Sequence, residues 1–425
     1  LADTTTLAAP NLPARELLEE LARRLGEADD RRRQAILERL VDMALPDRSV
    51  HLWRFTDPET LLPESWEGLA REAPAADRAA DLAGAAAVVS LAPGRAPRVE
   101  LGEAARRAGL VAVPLAEASG ADLALADGLD DDGFFPRLNA AAWNAGLLLR
   151  VPDGTRLEAP VHVVCDAVAP LSLPRLVLLA GRSSEVTLLE EHRGDARRVL
   201  GATLLSVGAG ARVRHLLVQR WDDDVAGYLH RRARLERDAG LLTAFAVLGG
   251  GRTKLEIASD LAGAGARSEM IGVALADGGG RHLDQHTRHR HLAPRTGSDI
   301  DFRTVAAGRG RVGYTGLIRI EEQATGAEAY QQNRNLLLSD GARADTIPEL
   351  EILNEDVSCS HGATVAPVDP DQLFYLQSRG LDPDAALRLV VRGFLEPTLS
   401  RLPDGVRASL DASVLARIES WQEAV

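Results

Sequence analysis

Along the first 45 residues Leu17, Leu18, Leu21 and Leu25, then Ile36, Leu40 and Met43, recur at helical spacing with Glu and Arg on the opposite faces. That pattern predicts an amphipathic helical start. From Val50 to Arg150 the signals are mixed: alanine-rich, helix-like stretches such as Arg78 to Ala87 stand between short apolar runs such as Val111 to Leu115, and no site is placed there. From Val151 to Ile352 the helical period disappears, and short alternating runs follow Gly-rich or small-residue turns. Gly181 precedes Val186–Leu189, Gly208-Ala209-Gly210 precedes Val213–Val218, Gly240 precedes Thr243–Val247, and Gly263-Ala264-Gly265 precedes Met270–Val273. Gly308-Arg309-Gly310 and Asp340-Gly341 stand in the same way before Leu317–Ile320 and Leu350–Ile352. Strands between turns that recur every 25 to 45 residues or so, with no helix between them, are the signature of stacked coils. About 200 residues of short strands is long for one β-sandwich, so a mainly β chain built on a β-helix or β-solenoid is expected, with Leu178, Leu188, Leu216 and Ile257 pointing inward.

Toward its C-terminus the chain returns to helix. Asp369-Pro370 and Asp382-Pro383 each set an N-cap acceptor before a proline suited to the first turn, and Gly380 stands where a helix stops. Leu387, Val390, Val391 and Phe394 form a second helical stripe that Pro397 is expected to end, and Val414, Ile418 and Trp421 suggest a final helix. Such helices read either as an end cap on the last coil or as a detachable docking unit. The expected organisation is an N-terminal helical and mixed region over 1–150, a β-helix core over 151–365 and a C-terminal helical docking region over 366–425.

Charge and composition remove several classes of function. Across the 425 residues, 62 Asp and Glu against 49 Lys and Arg give a net charge of -13, which repels phosphate backbones and anionic lipid, so neither nucleic acid nor membrane is an expected partner. No uncharged run exceeds about 13 residues, short of the roughly 18 that a spanning helix needs, and a cytoplasmic protein is expected. With Cys165 and Cys359 as the only cysteines, neither a disulfide framework nor a four-thiolate metal site fits within the chain. Lys254 is the sole lysine beside 48 arginines, a skew that reads as codon bias.

Several constellations invite chemistry. Gly308 to Gly313 spells G-x-G-x-x-G but runs into a strand rather than a helix, so it reads as a turn; no phosphate-loop motif occurs, and any nucleotide hydrolysis would belong to a partner. His282, His286, His289 and His291 suggest zinc or iron, although the 289/291 pair suits a strand and the 282/286 pair a helix. Glu190-Glu191 and Glu321-Glu322 would suit glycoside cleavage, but adjacent strand residues face opposite ways, and aromatics at 4% leave little for sugar stacking. Cys359 and His361, if extended, share a face about 7 Å apart and could each contribute a ligand to one metal centre. Two ligands are too few for a closed site, so the others would come from another chain. A Cys-His nucleophilic pair and an inert buried Cys are the rival readings.

The run Tyr330-Gln331-Gln332-Asn333-Arg334-Asn335-Leu336-Leu337-Leu338-Ser339-Asp340, the strand Pro348-Glu349-Leu350-Glu351-Ile352, the segment Cys359-Ser360-His361-Gly362-Ala363-Thr364 and Leu373-Phe374-Tyr375-Leu376 with Ser378-Arg379-Gly380 together resemble the SufB/SufD family of iron–sulfur cluster assembly scaffolds. Weaker likeness extends to Arg288–Ser298, Glu190-Glu191-His192, Pro152–Pro160 and Trp53-Arg54-Phe55-Thr56, with a departure at Ala366-Pro367. Within the family the chain resembles the SufD branch, since no cysteine lies between Tyr330 and Leu350, where the SufB branch carries a thiolate. The resemblance implies a right-handed parallel β-helix and a non-catalytic scaffold pairing with a SufB-like subunit or with a second copy of itself. Asn333, Asn335, Leu337, Glu349 and Glu351 become interface candidates. It also implies a SufC-like ATPase docked on the C-terminal helices, with Phe374, Leu376, Leu387, Val391 and Phe394 as candidates, and a transient iron–sulfur cluster shared with the partner at His361 and Cys359. The flavin question stays open. The alternative of a different class is a β-helix carbohydrate-active enzyme, lyase or hydrolase.

Overall fold

The computed structural model describes residues 12–27, 31–69, 84–127, 129, 133–168, 170–402 and 404–419. Two ten-stranded sheets face each other, and in each coil the chain passes from one to the other and back, making a parallel β-solenoid of about eight turns with helices at both ends. The first sheet runs from Arg98–Leu101 and Ala87–Leu91 through Val161–Ala167 and Glu185–Gly194 to Ala327–Leu337 and Val357–Pro367; the second runs from Val111–Pro114 and Ala145–Val151 to Arg343–Ile352. The parallel ladder therefore already includes Ala145–Val151, which pairs with Pro174–Ala180.

Glu185, Arg212, Gly240, Arg267, Gly297 and Glu328 stack in one file, so each step between neighbours in that file is one coil, and the steps are nearly equal. This is more regular than the glycine spacing implies, and one corner of the coil explains why. Each coil places a residue of positive φ there: Gly154, Gly210, Gly265 and Gly326, but also Ser183, Asp238 and Arg295. The backbone N–H of each donates to a carbonyl of the next coil, as Gly210 does to Arg237 and Gly326 to Asp356. Glycine suits this left-handed corner best, yet three non-glycine residues accept it, and those corners are silent in sequence.

Period-two alternation sends one set of side chains inward. Leu178 and Leu188 enter one stretch of the interior and Ile257 the next, as expected. Leu216 does not: it lies on the outer face of the first sheet with Val218, Ala244, Ile271 and Val273, beneath Val391, Leu395, Leu399, Val414 and Ile418. That sheet is covered on both faces at mid-solenoid, so its strands read as continuous apolar runs and lose the alternation that would mark the inner face.

The C-terminal helices Pro370–Ser378, Pro383–Leu399 and Asp404–Glu419 thus neither close the last coil nor hang free; the latter two cover a side wall. The caps form as expected, with the Asp369 carboxylate accepting from Asp371 N–H and Asp382 from Ala385 N–H, each at 2.9 Å. Pro397 does not end its helix, which continues to Leu399, anchored by Thr398 Oγ1 donating to the buried Asp301 at 2.8 Å. Trp421 lies outside the described residues, as does the stretch from Arg78 to Ala83 of the alanine-rich segment, while Ala87 begins a strand.

At the N-terminal end, helices Leu12–Glu27, Arg31–Val41 and Phe134–Ala142 cover the outer face of the second sheet, sharing a core with Trp53, Trp66, Leu200 and Tyr228. Trp53 stacks on Phe135 at 4.8 Å and on Tyr228 at 6.1 Å. Lys254, wholly buried, lies 4.7 Å from the Trp53 ring centre and donates to the Leu52 carbonyl at 2.5 Å and to Asp284 at 3.0 Å; Thr56 also donates to Asp284, at 2.7 Å. The one lysine is therefore not only a matter of codon usage. A compact ammonium on a slender stem reaches a carbonyl, a carboxylate and a ring face at once, where a planar guanidinium would need more width. Phe55 lies against Gly313 closely enough that a Cβ there would come within 2.6 Å of its ring.

The two ends of the solenoid differ. The antiparallel strands Ala87–Leu91 with Arg98–Leu101, and Val111–Pro114 with Ala145–Val151, close the first end over an apolar interior that includes Val89, Leu110, Leu147 and Val163. Nothing among the described residues closes the other end in this way.

Removing one partner of the buried Lys254–Asp284 pair leaves an uncompensated carboxylate. Lys254→Ala should lower stability by about 3 kcal/mol in equilibrium urea unfolding followed by tryptophan fluorescence. A loss under about 0.5 kcal/mol would show that the pair is hydrated in solution.

Candidate functional site at the open end of the solenoid

The last strand, Val357–Pro367, is the edge of the first sheet, and Arg343–Ile352 is the edge of the second. Both present an unpaired backbone row, and most of their side chains are exposed or half-buried. Register fixes how the last strand faces: Val357, Cys359 and His361 stand over Ala327, Ala329 and Gln331, all three of which are buried and point inward. Cys359 and His361 therefore share the inward face. Cys359 packs half-buried against the end of the core, while His361, one step further along the rim, is exposed.

Beneath this rim the interior is polar. Gln331, Asn333 and Asn335 are 1%, 0% and 3% exposed, so the two asparagines line the inside of the penultimate coil rather than a lateral surface. Asn335 Nδ2 donates to Asn333 Oδ1 at 2.6 Å and to the Thr364 carbonyl at 3.2 Å, and Gln331 Nε2 donates to the Gly316 carbonyl at 3.3 Å. Gln331 Oε1, Asn333 Nδ2, Asn335 Oδ1 and, on the facing sheet, Thr346 Oγ1 make no hydrogen bond although buried. Unmet polar groups in a buried position carry a free-energy penalty that an added coil or ligand relieves. Leu337 packs at the fringe of the core, Glu349 faces His51 at 3.4 Å, and Glu351 is exposed and paired with Arg319 at 2.9 Å. Gln331 and Thr346 were missed by sequence reasoning; strand parity with Asn333 was the available signal for Gln331. An open cavity of about 510 Å³ at the same strands is lined by residues of both faces, among them Tyr330, Gln332 and Arg334 with Gln331, Asn333 and His361.

The other candidates separate. Phe374 is 72% exposed, on a helix with no buried residue, whereas Leu376 and Leu387 are half-buried. Phe394 is half-buried with the Arg303 guanidinium 5.5 Å from its ring centre. Val391 is wholly buried against the first sheet, so it serves packing in this chain and not an external surface. Tyr375 and Leu389, 57% and 47% exposed, complete the apolar surface and were not singled out.

All four clustered histidines lie on the strand His282–His291 and divide by parity. His282 and His286 face out, with His282 3.2 Å from Thr56; His289 and His291 face in. His289 Nε2 meets Ser268 Oγ at 3.0 Å, and His291 bonds Thr296 and Ser298 at 2.8 and 2.9 Å. They do not converge on one ion. Burial, then His291 and Arg231, push His289 well below the usual range, and burial pushes His291 down to about 4. Glu190 faces in and Glu191 out, toward His162 and Arg220; Glu321 pairs with Arg319, and neither acidic pair forms a converging couple.

Fold and site together define a parallel β-solenoid closed at one end and open at the other, with a thiol and an imidazole on the open rim. Residues 163–394 match the family model described as SUF system FeS cluster assembly, SufBD core domain. The chain is 30% identical over 286 residues to the iron–sulfur cluster assembly protein SufB of Bacillus subtilis, a match covering 64% of this chain and 60% of that one. It is 39% identical over 260 residues to an iron–sulfur cluster assembly SufBD family protein of Mycobacterium leprae, covering 60% and 30%. A SufBD family protein of Mycobacterium bovis is 30% identical over 291 residues, covering 66% and 72%. The chain belongs to the SufBD family. It thus spans 60% of the Bacillus subtilis relative's length and 30% of the Mycobacterium leprae relative's. Among the described residues no helix is long and apolar enough to cross a membrane.

A histidine whose pKa is about 4 when folded, against roughly 6.5 unfolded, binds fewer protons in the native state. Its contribution is intact above the unfolded value and is lost as pH falls toward 4. Between pH 7.5 and 5 His291 alone should remove about 2 kcal/mol of stability. Urea midpoints for the wild type and His291→Asn at both pH values check this, the variant losing less on acidification. Equal losses in both would mean that His291 titrates normally.

Proposed function

We propose that this chain is a non-catalytic scaffold subunit of a Suf-type iron–sulfur cluster assembly complex, of the SufD kind, joining a SufB-like subunit through its last coil and a SufC-like ATPase through its C-terminal helices. The observation that carries the reading is the open coil. Two edge strands offer backbone groups for strand addition, buried amide groups beneath them await partners, and Cys359 and His361 stand on the rim between. A thiolate and a neutral imidazole are both iron ligands, and two of them leave the remainder of a transient cluster's coordination to the facing chain. The amide Asn333 stands in the stretch where the SufB branch carries its thiolate, which favours the SufD assignment over a self-pairing scaffold. Phe374 and Tyr375, exposed on the helix Pro370–Ser378, and Leu389, exposed on the side-wall helix that follows it, supply the apolar surface for the ATPase, with Leu376, Leu387 and Phe394 at its base. Neither Glu190-Glu191 nor Glu321-Glu322 forms the acid and base couple that the carbohydrate-active alternative needs.

The rim is tested with His361→Ala in a complex reconstituted with SufB-like and SufC-like partners. Cluster yield, read by visible absorption, should fall by roughly tenfold while gel filtration shows an intact complex. Normal yield would remove His361 from the chemistry, and a complex that fails to assemble would make its role structural. Deleting the C-terminal helices would strip the side wall, so the docking surface is better tested by Phe374→Ala with Tyr375→Ala. The pair should weaken ATPase binding by about 2 kcal/mol, near thirtyfold, in calorimetric titration. Unchanged affinity would place the docking surface elsewhere.

A further inference from the structure

We propose that Cys165, Glu190 and His192, enclosed near the closed end of the solenoid, form a binding site for one divalent first-row transition ion, zinc or ferrous iron. Their ligand atoms all lie within 4.8 Å of one another, and the residues are 3%, 1% and 2% exposed. Cys165 and His192 are register partners on adjacent strands, and Glu190 precedes His192 by two positions on the same inward face. A thiolate, an imidazole and a carboxylate are an established donor set for borderline ions, and three protein ligands leave a fourth position for water.

The surroundings are organised as the outer shell of such a site. Glu190 accepts from Thr203 Oγ1 at 2.7 Å, and the ring nitrogens of His192 and His215 each stand 2.7 Å from one of its oxygens. His215 Nδ1 is buried without a partner. Burial raises the carboxyl of Glu190, while the two imidazoles lower it and outweigh the burial. Burial, then Glu190, Asp166 and Glu191, push the Cys165 thiol well up. The Cys165 thiol makes no hydrogen bond among the described residues, and a divalent ion would draw it into coordination with the carboxylate and the imidazole. Binding releases the thiol proton to solvent and exchanges the Glu190–His192 contact for two metal bonds, with no change of oxidation state.

This site does not depend on the scaffold reading. Cys165 and His361 stand on strands of one sheet that are seven spacings, or about 34 Å, apart, and three ligand atoms within 4.8 Å of one another suit a single ion. The competing account is a metal-free polar trio whose carboxylate is balanced by the buried Arg231.

The test uses the full chain, unfolded in chelator and refolded with Co²⁺ as the probe. The expected result is one tightly held cobalt per chain with thiolate-to-metal absorption in the near ultraviolet, bleached by an equivalent of zinc. Cys165→Ser should lose that absorption, His192→Gln should weaken binding roughly 10- to 100-fold, and Cys359→Ser and His361→Ala should leave it unchanged. Far-ultraviolet circular dichroism of each metal-free variant checks its fold, and Cys165→Ala, which suits an apolar core, serves as the second removal of the thiol. No thiolate absorption in the refolded wild type, or absorption that survives both Cys165 variants, would overturn the proposal. Failure of the His361 experiment above would leave this result untouched.

Discussion

In a solenoid every coil is buried only by its neighbours, and that nearest-neighbour dependence governs the rest of this molecule. A stack of coils always has two ends, each with an exposed interior cross-section and two free strand edges. At the first end the chain uses antiparallel strands and an apolar interior to remove both. At the last end the described residues do neither, and glutamine and asparagine stand in the interior beside the rim. An apolar open end would favour indiscriminate association. A polar one, whose amides are already desolvated and partly unmatched, favours a partner that presents matching donors and acceptors.

The side walls follow from the same constraint. Each sheet has an outer face long enough to need cover, and the two terminal regions divide the work: the N-terminal helices lie on the second sheet and the C-terminal helices on the first. Both attachments use buried charge as well as apolar area, Lys254 with Asp284 on one wall and Thr398 with Asp301 on the other. A desolvated charge tolerates only the geometry that satisfies it, so these contacts fix register where a smooth apolar face would allow sliding. The exposed aromatic helix Pro370–Ser378 is therefore held between two fixed elements, the last strand that leads into it and the helix packed on the side wall that follows it.

The fold was legible wherever a local rule acted alone. Glycine corners, capping aspartates and alternating runs each state their structure within a short span, and the continuous motif from Tyr330 to Gly380 stated the family. What escaped depended on register between coils. Leu216 reads as a core residue and is one, but in a core made by helices from the far end of the chain. Asn333 and Asn335 read as interface candidates, and nothing local says that a strand of alternating exposure turns these particular positions inward. The histidine cluster looked like a ligand set because four residues are near in sequence, whereas strand parity sends two to each face. Cys165, Glu190 and His192 are the converse, a compact set assembled from two successive coils that no linear spacing rule picks out.

The two ligand-bearing sites proposed here occupy opposite environments, and the physics assigns them opposite behaviour. Inside the closed end, a low dielectric and a preformed set of hydrogen bonds strengthen every ion–ligand contact, and an ion held there leaves only as fast as coils open. On the rim, Cys359 and His361 stand in high dielectric at an edge, two ligands without a surrounding shell, and a ligand exchanging there meets no barrier from this chain. A site that retains and a site that releases can thus share one strand register, because what separates them is the number of stacked neighbours. On these two proposals the stacked neighbours, and not the ligands themselves, set whether a bound ion is retained or exchanged.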